Sequence, residues 1–406
     1  MGFDLDYWLR RSPYFDLTCR AGARRVTVGN HMYVAGGFGD PIEEYWHLVN
    51  GVTLWDVANE RQVEVTGPDA ASFVDLICTR DIAACPVGFC RYMLFTSAEG
   101  GIVNDPVMLR FEQNRFWFSA SDSDLLLWIK GIAVFAGFDV TVREPDVAPI
   151  QVQGPKSGAI VDALFGERGT ALRYYELLET ELDGMPVVLT RTGWSGELGY
   201  EIFLCDSRYA ERLWTLVVET GRPHGLAITG PSDIRRVEAG ILGLGHRGDI
   251  SLSVNPFEAG LDRLVALDKP ADFVGKAALR RIRDEGVARR LVGIEIDGNP
   301  LPTGSFGARW PVRHDGRAIG EVTVALHSPR LARNIGYAML EAGATAPGVR
   351  IDVETPAGWR TATTAALPLI RRQRTGSAGA PSPNDVPDGA SPDRSRIDPV
   401  GRNARP

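Results

Sequence analysis

The sequence predicts an α+β protein with two related α+β lobes, followed by a small C-terminal β-barrel or sandwich. A pattern of strand, Gly-Pro and helix occurs twice in the first half of the chain, and short alternating runs replace it after residue 290. The length of 406 residues also exceeds what one hydrophobic core usually organises. We therefore expect two or three domains.

The internal repeat covers residues 63–76 and residues 150–164. Each copy starts with an alternating run (VEVT and IQVQ), passes through Gly-Pro, and ends in an apolar pattern that contains a Val-Asp pair. Alternation is typical of a half-buried strand, and a proline at the first helical position starts the helix that follows. Chance recurrence of a common unit is the alternative, but the matched spacing favours duplication.

Further helices are predicted for residues 123–136, residues 206–219 and residues 234–242. The first two begin with residues that cap helix N-termini.

The short alternating runs after residue 290 predict strands at residues 291–296, 320–324 and 350–353, with a turn at residues 314–316. Large apolar residues are almost absent after residue 370. Such a composition cannot bury enough surface to offset the entropy of ordering, so we expect residues 371–406 to be a disordered tail.

Bulk composition excludes several function classes. The net charge of -7 argues against a nucleic-acid partner, which would require a basic face. The acidic start of the chain does not read as a signal peptide, and the most apolar stretch, residues 125–138, is too short for a bilayer. Five cysteines without a Cys-x-x-Cys pair, and histidines without ligand spacing, predict reduced thiols and no metal. We expect a cytoplasmic protein that binds no membrane.

Candidate chemistry lies in three glycine-containing segments: residues 192–203 (TGWSGELGYEIF), residues 100–106 (GGIVNDP) and residues 236–240 (RVEAG). In the first segment, glycines between strand-like runs let the backbone take positive φ or pass close to a ligand. The segments supply Glu201, Asp105 and Arg236. A surface hairpin with Glu201 in water is the alternative for the first, but the three together favour a ligand site.

These segments, in this order and spacing, resemble the folate-dependent family of the glycine-cleavage T-protein (aminomethyltransferase). Further stretches are similar to the dimethylsulfoniopropionate demethylase branch of that family, at residues 30–32, 44–48, 55–57, 60–63, 104–107 and 255–262. The resemblance runs from about residue 10 to about residue 370 and depends on no single motif.

The resemblance implies a three-domain fold around a central opening, with the first two domains interleaved in sequence and a C-terminal β-barrel domain. The implied boundaries are residues 1–50 and 148–249 for domain 1, 51–147 and 250–287 for domain 2, 288–370 for the barrel and 371–406 for the tail.

The resemblance also implies a folate site with tetrahydrofolate as methyl acceptor. Asp105 matches the acid that faces the reacting nitrogens of folate, although an aspartate in a β-turn is the structural alternative. Glu201 matches the glutamate that accepts hydrogen bonds from the pterin, and an acceptor-only carboxylate suits that donor-rich edge. Their neighbours Asn104 and Tyr200 are assigned to the same site.

One cation is implied at the far end of the folate. Arg236 matches the arginine that contacts the carboxylate tail, while Arg235 beside it leaves the choice open. Either arginine in a solvated or salt-bridged helix position is the structural alternative.

Aromatic side chains are the candidates for binding a cationic methyl donor. Trp194, Tyr92 and Trp46 are named for this role because an aromatic face attracts a sulfonium or ammonium group, although aromatic rings more often fill cores. His31 lies in a stretch shared with the demethylase branch and is named for the same end of the site, with a structural role as its alternative.

The resemblance therefore predicts a tetrahydrofolate-dependent demethylase of a small methylated compound, with dimethylsulfoniopropionate as the best candidate. Aminomethyltransferase activity, with a carrier protein as partner, is one alternative, and a non-enzymatic folate-binding regulatory protein is another. The first branch usually has Asp-Asp where this chain has Asn104-Asp105, and the second has a Lys-Gly-Cys-type signature that this chain lacks.

Residues 243–248 match the dinucleotide pattern G-x-G-x-x-G, but a predicted helix precedes them where that motif needs a strand. We interpret the segment as a tight turn. It departs from the demethylase pattern by placing His246 and Arg247 near the opening, which leaves the substrate's charge open.

Overall fold

The computed structural model describes residues 5, 7–245, 248–302 and 306–370, with the side chains of residues 306–308 excluded. The expected tail at residues 371–406 and the pair His246-Arg247 lie outside the described residues.

The described strands are β1 (Arg10–Arg11), β2 (Arg25–Gly29), β3 (Met32–Gly37), β4 (Val52–Asp56), β5 (Gln62–Thr66), β6 (Phe89–Tyr92), β7 (Phe95–Thr96), β8 (Ile102–Asn104), β9 (Val107–Glu112), β10 (Arg115–Ser119), β11 (Thr141–Arg143), β12 (Ala148–Gln153), β13 (Leu177–Leu182), β14 (Met185–Thr190), β15 (Gly199–Leu204), β16 (Leu226–Ile228), β17 (Arg289–Ile296), β18 (Phe306–His314), β19 (Arg317–Ser328), β20 (Arg333–Glu341), β21 (Arg350–Thr355) and β22 (Gly358–Ala365). The described α-helices are α1 (Phe15–Arg20), α2 (Pro41–Asn50), α3 (Ala70–Ile77), α4 (Leu125–Ala136), α5 (Ser157–Phe165), α6 (Glu167–Thr170), α7 (Ala210–Gly221), α8 (Asp233–Glu238) and α9 (Lys276–Glu285).

Two main open sheets and a barrel organise the described residues, and two small sheets, β1-β3-β2 and β7-β8, contain the remaining strands. The larger open sheet has the strand order β13-β14-β15-β12-β4-β16, and the smaller has the order β11-β5-β10-β9-β6. Strands β17 to β22 close into a barrel in the order β17-β20-β19-β18-β21-β22. This confirms the α+β class and the C-terminal barrel. The domain boundaries stay a prediction, with the qualification that β4, just past the boundary at residue 50, pairs with β12.

The two repeat copies form equivalent units in the two open sheets, β5 with α3 and β12 with α5. The shared glycines, Gly67 and Gly154, have φ of 129° and 124°. A Cβ on either would lie 2.5 or 2.6 Å from a backbone carbonyl oxygen, so only glycine fits. The helices start at Ala70 and Ser157, two residues after the prolines, which corrects the prediction of proline at the first helical position. The reason is a turn in which the Ala70 and Ser157 amides donate back to Gly67 and Gly154.

The other predicted elements are present with shifted ends. The helix predicted at residues 206–219 begins with a 3-10 turn, Ser207–Tyr209, before α7. The helix predicted at residues 234–242 is wrong in length, because α8 ends at Glu238 and Gly240 then takes a φ of 73°. A positive φ interrupts the helical backbone.

The two open sheets pack face to face through a cluster of buried side chains from both. Phe203 and Val188 of the larger sheet meet Leu109 and Trp117 of the smaller one. The barrel packs on α8, where the Tyr337 hydroxyl donates to the Val237 carbonyl at 2.9 Å. At one end of this packing the sheets separate, and the space between them is the cavity described next.

No α-helix in the described ranges is long and apolar enough to cross a bilayer. The same ranges contain no group of three His, Cys, Asp or Glu side chains arranged to hold a metal ion.

Candidate active site

A cavity of about 540 Å³ lies between the two open sheets and the segment that contains α8. Strand β2, the loop after β4, the start of β9, the end of β10, strands β12 and β15 and the loop at residues 192–194 all contribute to its wall. Because these segments are far apart in sequence, the cavity is a product of tertiary folding.

Strand alternation turns Glu201 into the cavity. Tyr200 and Ile202 of β15 point into the core on the far side of the sheet, so Glu201 and Phe203 face the smaller sheet. The pairing of β12 with β15 places Gln151 directly beside Glu201. The Gln151 amide and the Thr192 hydroxyl both donate to the Glu201 carboxylate. Burial raises the pKa of Glu201, and these hydrogen bonds oppose the rise.

Asp105 enters the cavity from the turn between β8 and β9. The Tyr92 hydroxyl donates to Asp105 Oδ2 at 2.8 Å. Within the described residues, Oδ1 is buried without a hydrogen-bond partner. Burial raises the pKa of Asp105 to about 6. The preceding Gly101 is required because a Cβ there would lie 1.9 Å from the Leu252 carbonyl oxygen.

Glu60 is a third acid in the cavity wall and was not among the predicted site residues. The Ser119 hydroxyl donates to Glu60 Oε2 at 3.2 Å, and the Gln151 amide approaches Oε1 at 3.5 Å. Burial raises the pKa of Glu60, and the charges of Glu201 and Asp105 add to the rise. The sequence contained one signal for it, since it precedes the alternating run of the first repeat.

The glycines of the 192–203 loop pack around a protein side chain. A Cβ on Gly193 or Gly199 would lie 2.2 or 2.1 Å from the side chain of Gln153. Ser195 Oγ donates to Gln153 Oε1 at 2.7 Å, and Gln153 Nε2 donates to the Thr192 carbonyl at 3.2 Å. The loop still lines the cavity through Gly193 and Trp194, but these two glycines are needed for Gln153.

Arg236 is not among the described residues that line the cavity wall, and its contact with a ligand stays a prediction. Its side chain is fully buried and forms ion pairs with Asp233 at 2.9 Å and Asp249 at 2.8 Å. Burial lowers the pKa of Arg236, but Asp249 and Asp233 raise it above its ordinary value. Arg235 is also buried and pairs with Glu197 at 2.6 Å. Both arginines therefore hold α8 in place.

Trp194 and Tyr92 line the cavity, as the sequence predicted for substrate-facing rings, and their roles stay predictions. The Arg236 guanidinium already lies 5.4 Å from the centre of the Trp194 ring. A cation on one face lowers the attraction of the other face for a second cation. Tyr92 is therefore the better placed of the two rings to meet a cationic donor.

Four other predicted residues do not reach the cavity wall in the described part of the chain. Tyr200 belongs to the core on the opposite face of β15. Asn104 positions the neighbouring loop, because its amide donates to the Ser121 carbonyl at 3.0 Å and to the Ser123 hydroxyl at 2.7 Å.

His31 and Trp46 lie on the surface. His31 Nε2 is 3.0 Å from Asp124 in an exposed pair, and Trp46 packs edge-on against Tyr45 on α2. The described structure therefore places Tyr200, Asn104, His31 and Trp46 away from the cavity wall, and their predicted contact with a ligand stays a prediction.

Arg25 is the cation that the structure adds to the cavity wall. Its Nε donates to the Gly36 carbonyl at 3.1 Å, and its charge lowers the pKa of Asp233, which burial raises. Arg25 is exposed, so the cavity wall has a basic group near solvent. Five acids line the described wall: Asp122 is exposed, Asp233 pairs with Arg236, and Glu60, Asp105 and Glu201 have no ion pair there. No local motif marked Arg25 or Gln151.

The cavity fits a ligand with many hydrogen-bond donors. Gln151 Oε1 and Asp105 Oδ1 are buried acceptors without a partner in the described residues, and Glu201 adds a buried carboxylate. Unpaired buried acceptors cost free energy until a donor reaches them. A planar heterocycle with amino and ring N–H groups would supply these donors, and the adjacent Tyr92 and Tyr175 offer aromatic walls.

Comparison with known proteins gives an independent result. The sequence matches the GCVT N-terminal domain over residues 14–269 and the glycine cleavage T-protein C-terminal barrel domain over residues 289–370. It is 36% identical to the dimethylsulfoniopropionate demethylase of Ruegeria pomeroyi, over 87% of this chain and 96% of that protein. It is 35% identical to an aminomethyltransferase of Streptomyces avermitilis, over 83% of this chain and 91% of that protein.

The fold is similar to that of glycine cleavage system aminomethyltransferase T from Bartonella henselae, with a TM-score of 0.80 over 89% of this chain and 98% of that chain. The sequence identity of that pair is 23%, so the likeness concerns the fold.

Proposed function

The chain belongs to the glycine cleavage T-protein family, and on that premise we propose that it demethylates a small methylated compound, with dimethylsulfoniopropionate as the best candidate. As a member of the family it is a tetrahydrofolate-dependent methyl or aminomethyl transferase. The proposal concerns the donor and the residues that serve it.

The cavity acceptors fit tetrahydrofolate. In our proposal Glu201 and Gln151 accept hydrogen bonds from the pterin's amino and ring N–H groups, since both are buried beside each other on β12 and β15. Arg25, at the exposed part of the wall, replaces Arg236 as the candidate for the carboxylate tail. Bound tetrahydrofolate supplies a ring nitrogen that accepts the one-carbon group.

A sulfonium donor agrees with the charge of the cavity, and this observation carries the proposal. Glu60, Asp105 and Glu201 face one enclosed space, together with the rings of Tyr92 and Tyr175. Carboxylates and aromatic faces both attract a cation, and aromatic contacts contribute about 0.5–2 kcal/mol each. Burial favours the protonated forms of these acids, and a cationic donor, unlike a neutral one, would favour their charged forms.

The chain's part in the reaction is alignment and exclusion of water. A sulfonium methyl group is already electrophilic and its sulfide leaves without a proton, so no strong acid is needed. Tyr92 holds Asp105 through its hydroxyl, and Asp105 Oδ1 has no hydrogen-bond partner in the described residues. Asp105 then orients the reactants by charge and hydrogen bonding.

Aminomethyl transfer is the second candidate, because several relatives of similar identity are aminomethyltransferases. Asn104 argues for the demethylase. Its amide donates to both Ser121 and Ser123, and the Asp-Asp pair usual in aminomethyltransferases would put an acceptor there instead. A carrier protein is a partner only under this second candidate.

The test is an incubation of the purified protein with tetrahydrofolate and a panel of methylated sulfonium, amine and aryl ether compounds. We expect 5-methyltetrahydrofolate with the sulfonium compounds, with dimethylsulfoniopropionate giving the highest kcat/KM. Aminomethylated carrier protein as the only productive donor would replace the proposal with the second candidate.

A further inference from the structure

Three carboxylates of the cavity, those of Glu60, Asp105 and Glu201, are held by neutral groups in the described residues. Glu201 accepts from Gln151 and Thr192, and Asp105 accepts from Tyr92. Glu60 accepts from Ser119 at 3.2 Å, with Gln151 at 3.5 Å. Across the described ranges, none of these three acids forms an ion pair with a protein cation.

The cation nearest to Glu60 in sequence is directed elsewhere. Arg61 donates from Nε to Glu144 at 2.8 Å, makes a second bond to the same carboxylate, and caps the Asn30 carbonyl at 3.2 Å. Glu144 is therefore compensated by Arg61, while Glu60, one residue away from that arginine, faces the cavity without compensation. Glu60 and Arg61 are adjacent in sequence, but in the fold Arg61 binds Glu144 and Glu60 lines the cavity.

Our proposal for tetrahydrofolate binding does not need Glu60. The Glu201-Gln151 pair already provides adjacent acceptors for a donor-rich edge. Glu60 has part of its hydrogen-bonding capacity used by Ser119, so what it offers a ligand is chiefly negative charge. In the unliganded cavity burial and the neighbouring acids favour its protonated form, and a ligand cation would favour the charged form.

We propose that Glu60 is a specificity-determining residue that makes the cavity select a methyl donor with a positively charged methyl-bearing centre over a compound of the same shape whose corresponding centre is uncharged. This inference rests on the proposed demethylase function and names the residue that sets the charge class of its donor. A sulfonium carries no N–H group, so it meets Glu60 through charge and not through a hydrogen bond. The position of Glu60 beside Gln151 and Ser119 keeps the carboxylate fixed at the wall.

The test compares two compounds that differ in charge and hardly in shape: dimethylsulfoniopropionate and its carbon isostere 4-methylpentanoate. Calorimetry with the folate-free protein, in which no methyl transfer can occur, gives both affinities for the wild type and for Glu60→Gln. We expect the wild type to favour the sulfonium, and Glu60→Gln to reduce that preference by about ten- to a hundredfold. Tetrahydrofolate affinity should stay within about twofold, because Gln keeps the acceptor for Ser119.

Two further variants control the comparison. Glu60→Asp keeps the charge and should keep most of the preference. Glu112→Gln removes one negative charge from the exposed end of β9 and should leave the preference unchanged. If Glu60→Gln does not fold, Ser119→Ala, which releases the Glu60 carboxylate, should lower the sulfonium preference instead.

The outcomes separate the inference from the proposed function. An unchanged preference in folded Glu60→Gln overturns the role of Glu60 even if methyl transfer occurs. A preference that depends on Glu60, without 5-methyltetrahydrofolate from any sulfonium donor, supports the inference and removes the proposed activity. A wild type with no preference for the cation overturns the inference directly.

Discussion

Two buried charge clusters lie near Trp194 and differ in their compensation. Around α8, Arg236 is enclosed by Asp233 and Asp249, so positive and negative groups meet within 3 Å. In the cavity, Glu60, Asp105 and Glu201 share one space, and within the described residues their hydrogen-bond donors are neutral. A compensated cluster stabilises the fold, whereas uncompensated buried charge is typical of binding and catalytic sites.

Mutations in the two clusters should therefore change the free energy of unfolding in opposite directions. Removing a member of the compensated cluster leaves an unpaired buried charge and should destabilise the protein. Removing an acid of the uncompensated cluster relieves burial and repulsion, so it should stabilise the protein while harming function.

The largest stability effect is expected at Arg236. Arg236→Met should lower the free energy of unfolding by about 3–5 kcal/mol, because it leaves buried Asp249 without its partner. Urea denaturation measures the change. Arg212→Met, at an exposed pair with Asp183, is the matched control and should change stability by about 1 kcal/mol or less. Equal losses in both variants would contradict the structural role of Arg236.

Asp105→Asn should stabilise the protein at alkaline pH. The folded-state pKa of about 6 lies above the ordinary value of 3.8, so the folded state binds the proton more tightly. The penalty of burying the ionised form is complete above about pH 6 and disappears below about pH 4. We therefore expect a gain of roughly 1–3 kcal/mol at pH 8 and none at pH 4. Denaturant unfolding at the two pH values measures it, and a loss of stability at pH 8 would contradict the assignment.

The same variant should change the pH profile of turnover. If transfer needs the Asp105 carboxylate, single-turnover rates should rise through about pH 6 and then level off. Asp105→Asn should remove this rise of the rate with pH. It should also lower the rate, by about 10²–10⁴-fold for an amine donor and less for a sulfonium. Glu60, Glu201 and Tyr92 face the same space as Asp105. The pH profile of Glu60→Gln is therefore measured as well, because it separates the titration of Glu60 from that of Asp105. Wild-type rates in the variant would remove Asp105 from the reaction.

Glu201 and Tyr200 give a matched test of the two faces of β15. Glu201→Ala should weaken tetrahydrofolate binding by about 1.5–3 kcal/mol, the range for hydrogen bonds to charged groups. Tyr200→Phe should leave the affinity within about twofold, because Tyr200 packs in the opposite core. Calorimetry checks both values. Equal effects would mean that the ligand does not distinguish the faces of the strand.

The smallest effect is expected at His31. Its pair with Asp124 is exposed, and exposed pairs contribute about 0–1 kcal/mol. His31→Gln should leave unfolding, KM for the donor and tetrahydrofolate affinity near their wild-type values. A clear rise of KM for the donor would instead support a contact between His31 and the donor.

Local pattern predicted the architecture well. The alternating runs of the repeat became β5 and β12, and the runs after residue 290 became the barrel. The acids of the glycine-containing segments, Asp105 and Glu201, do face the cavity. Periodicity and glycine placement act over a few residues, so a sequence without structure already reveals them.

Charge compensation was decided by tertiary contacts. Arg236 forms an ion pair with buried Asp249, and Arg61 binds Glu144 and not Glu60; neither pairing is visible in the sequence. The glycines of the 192–203 loop were predicted to let the backbone approach a ligand, but Gly193 and Gly199 accommodate the side chain of Gln153. Whether a charge is paired, or a gap is filled, depends on side chains tens of residues away, and only the folded chain brings those partners together. The sequence by itself determined the elements and the candidate acids, while the tertiary structure decided which charges stabilise the fold and which remain available to a ligand.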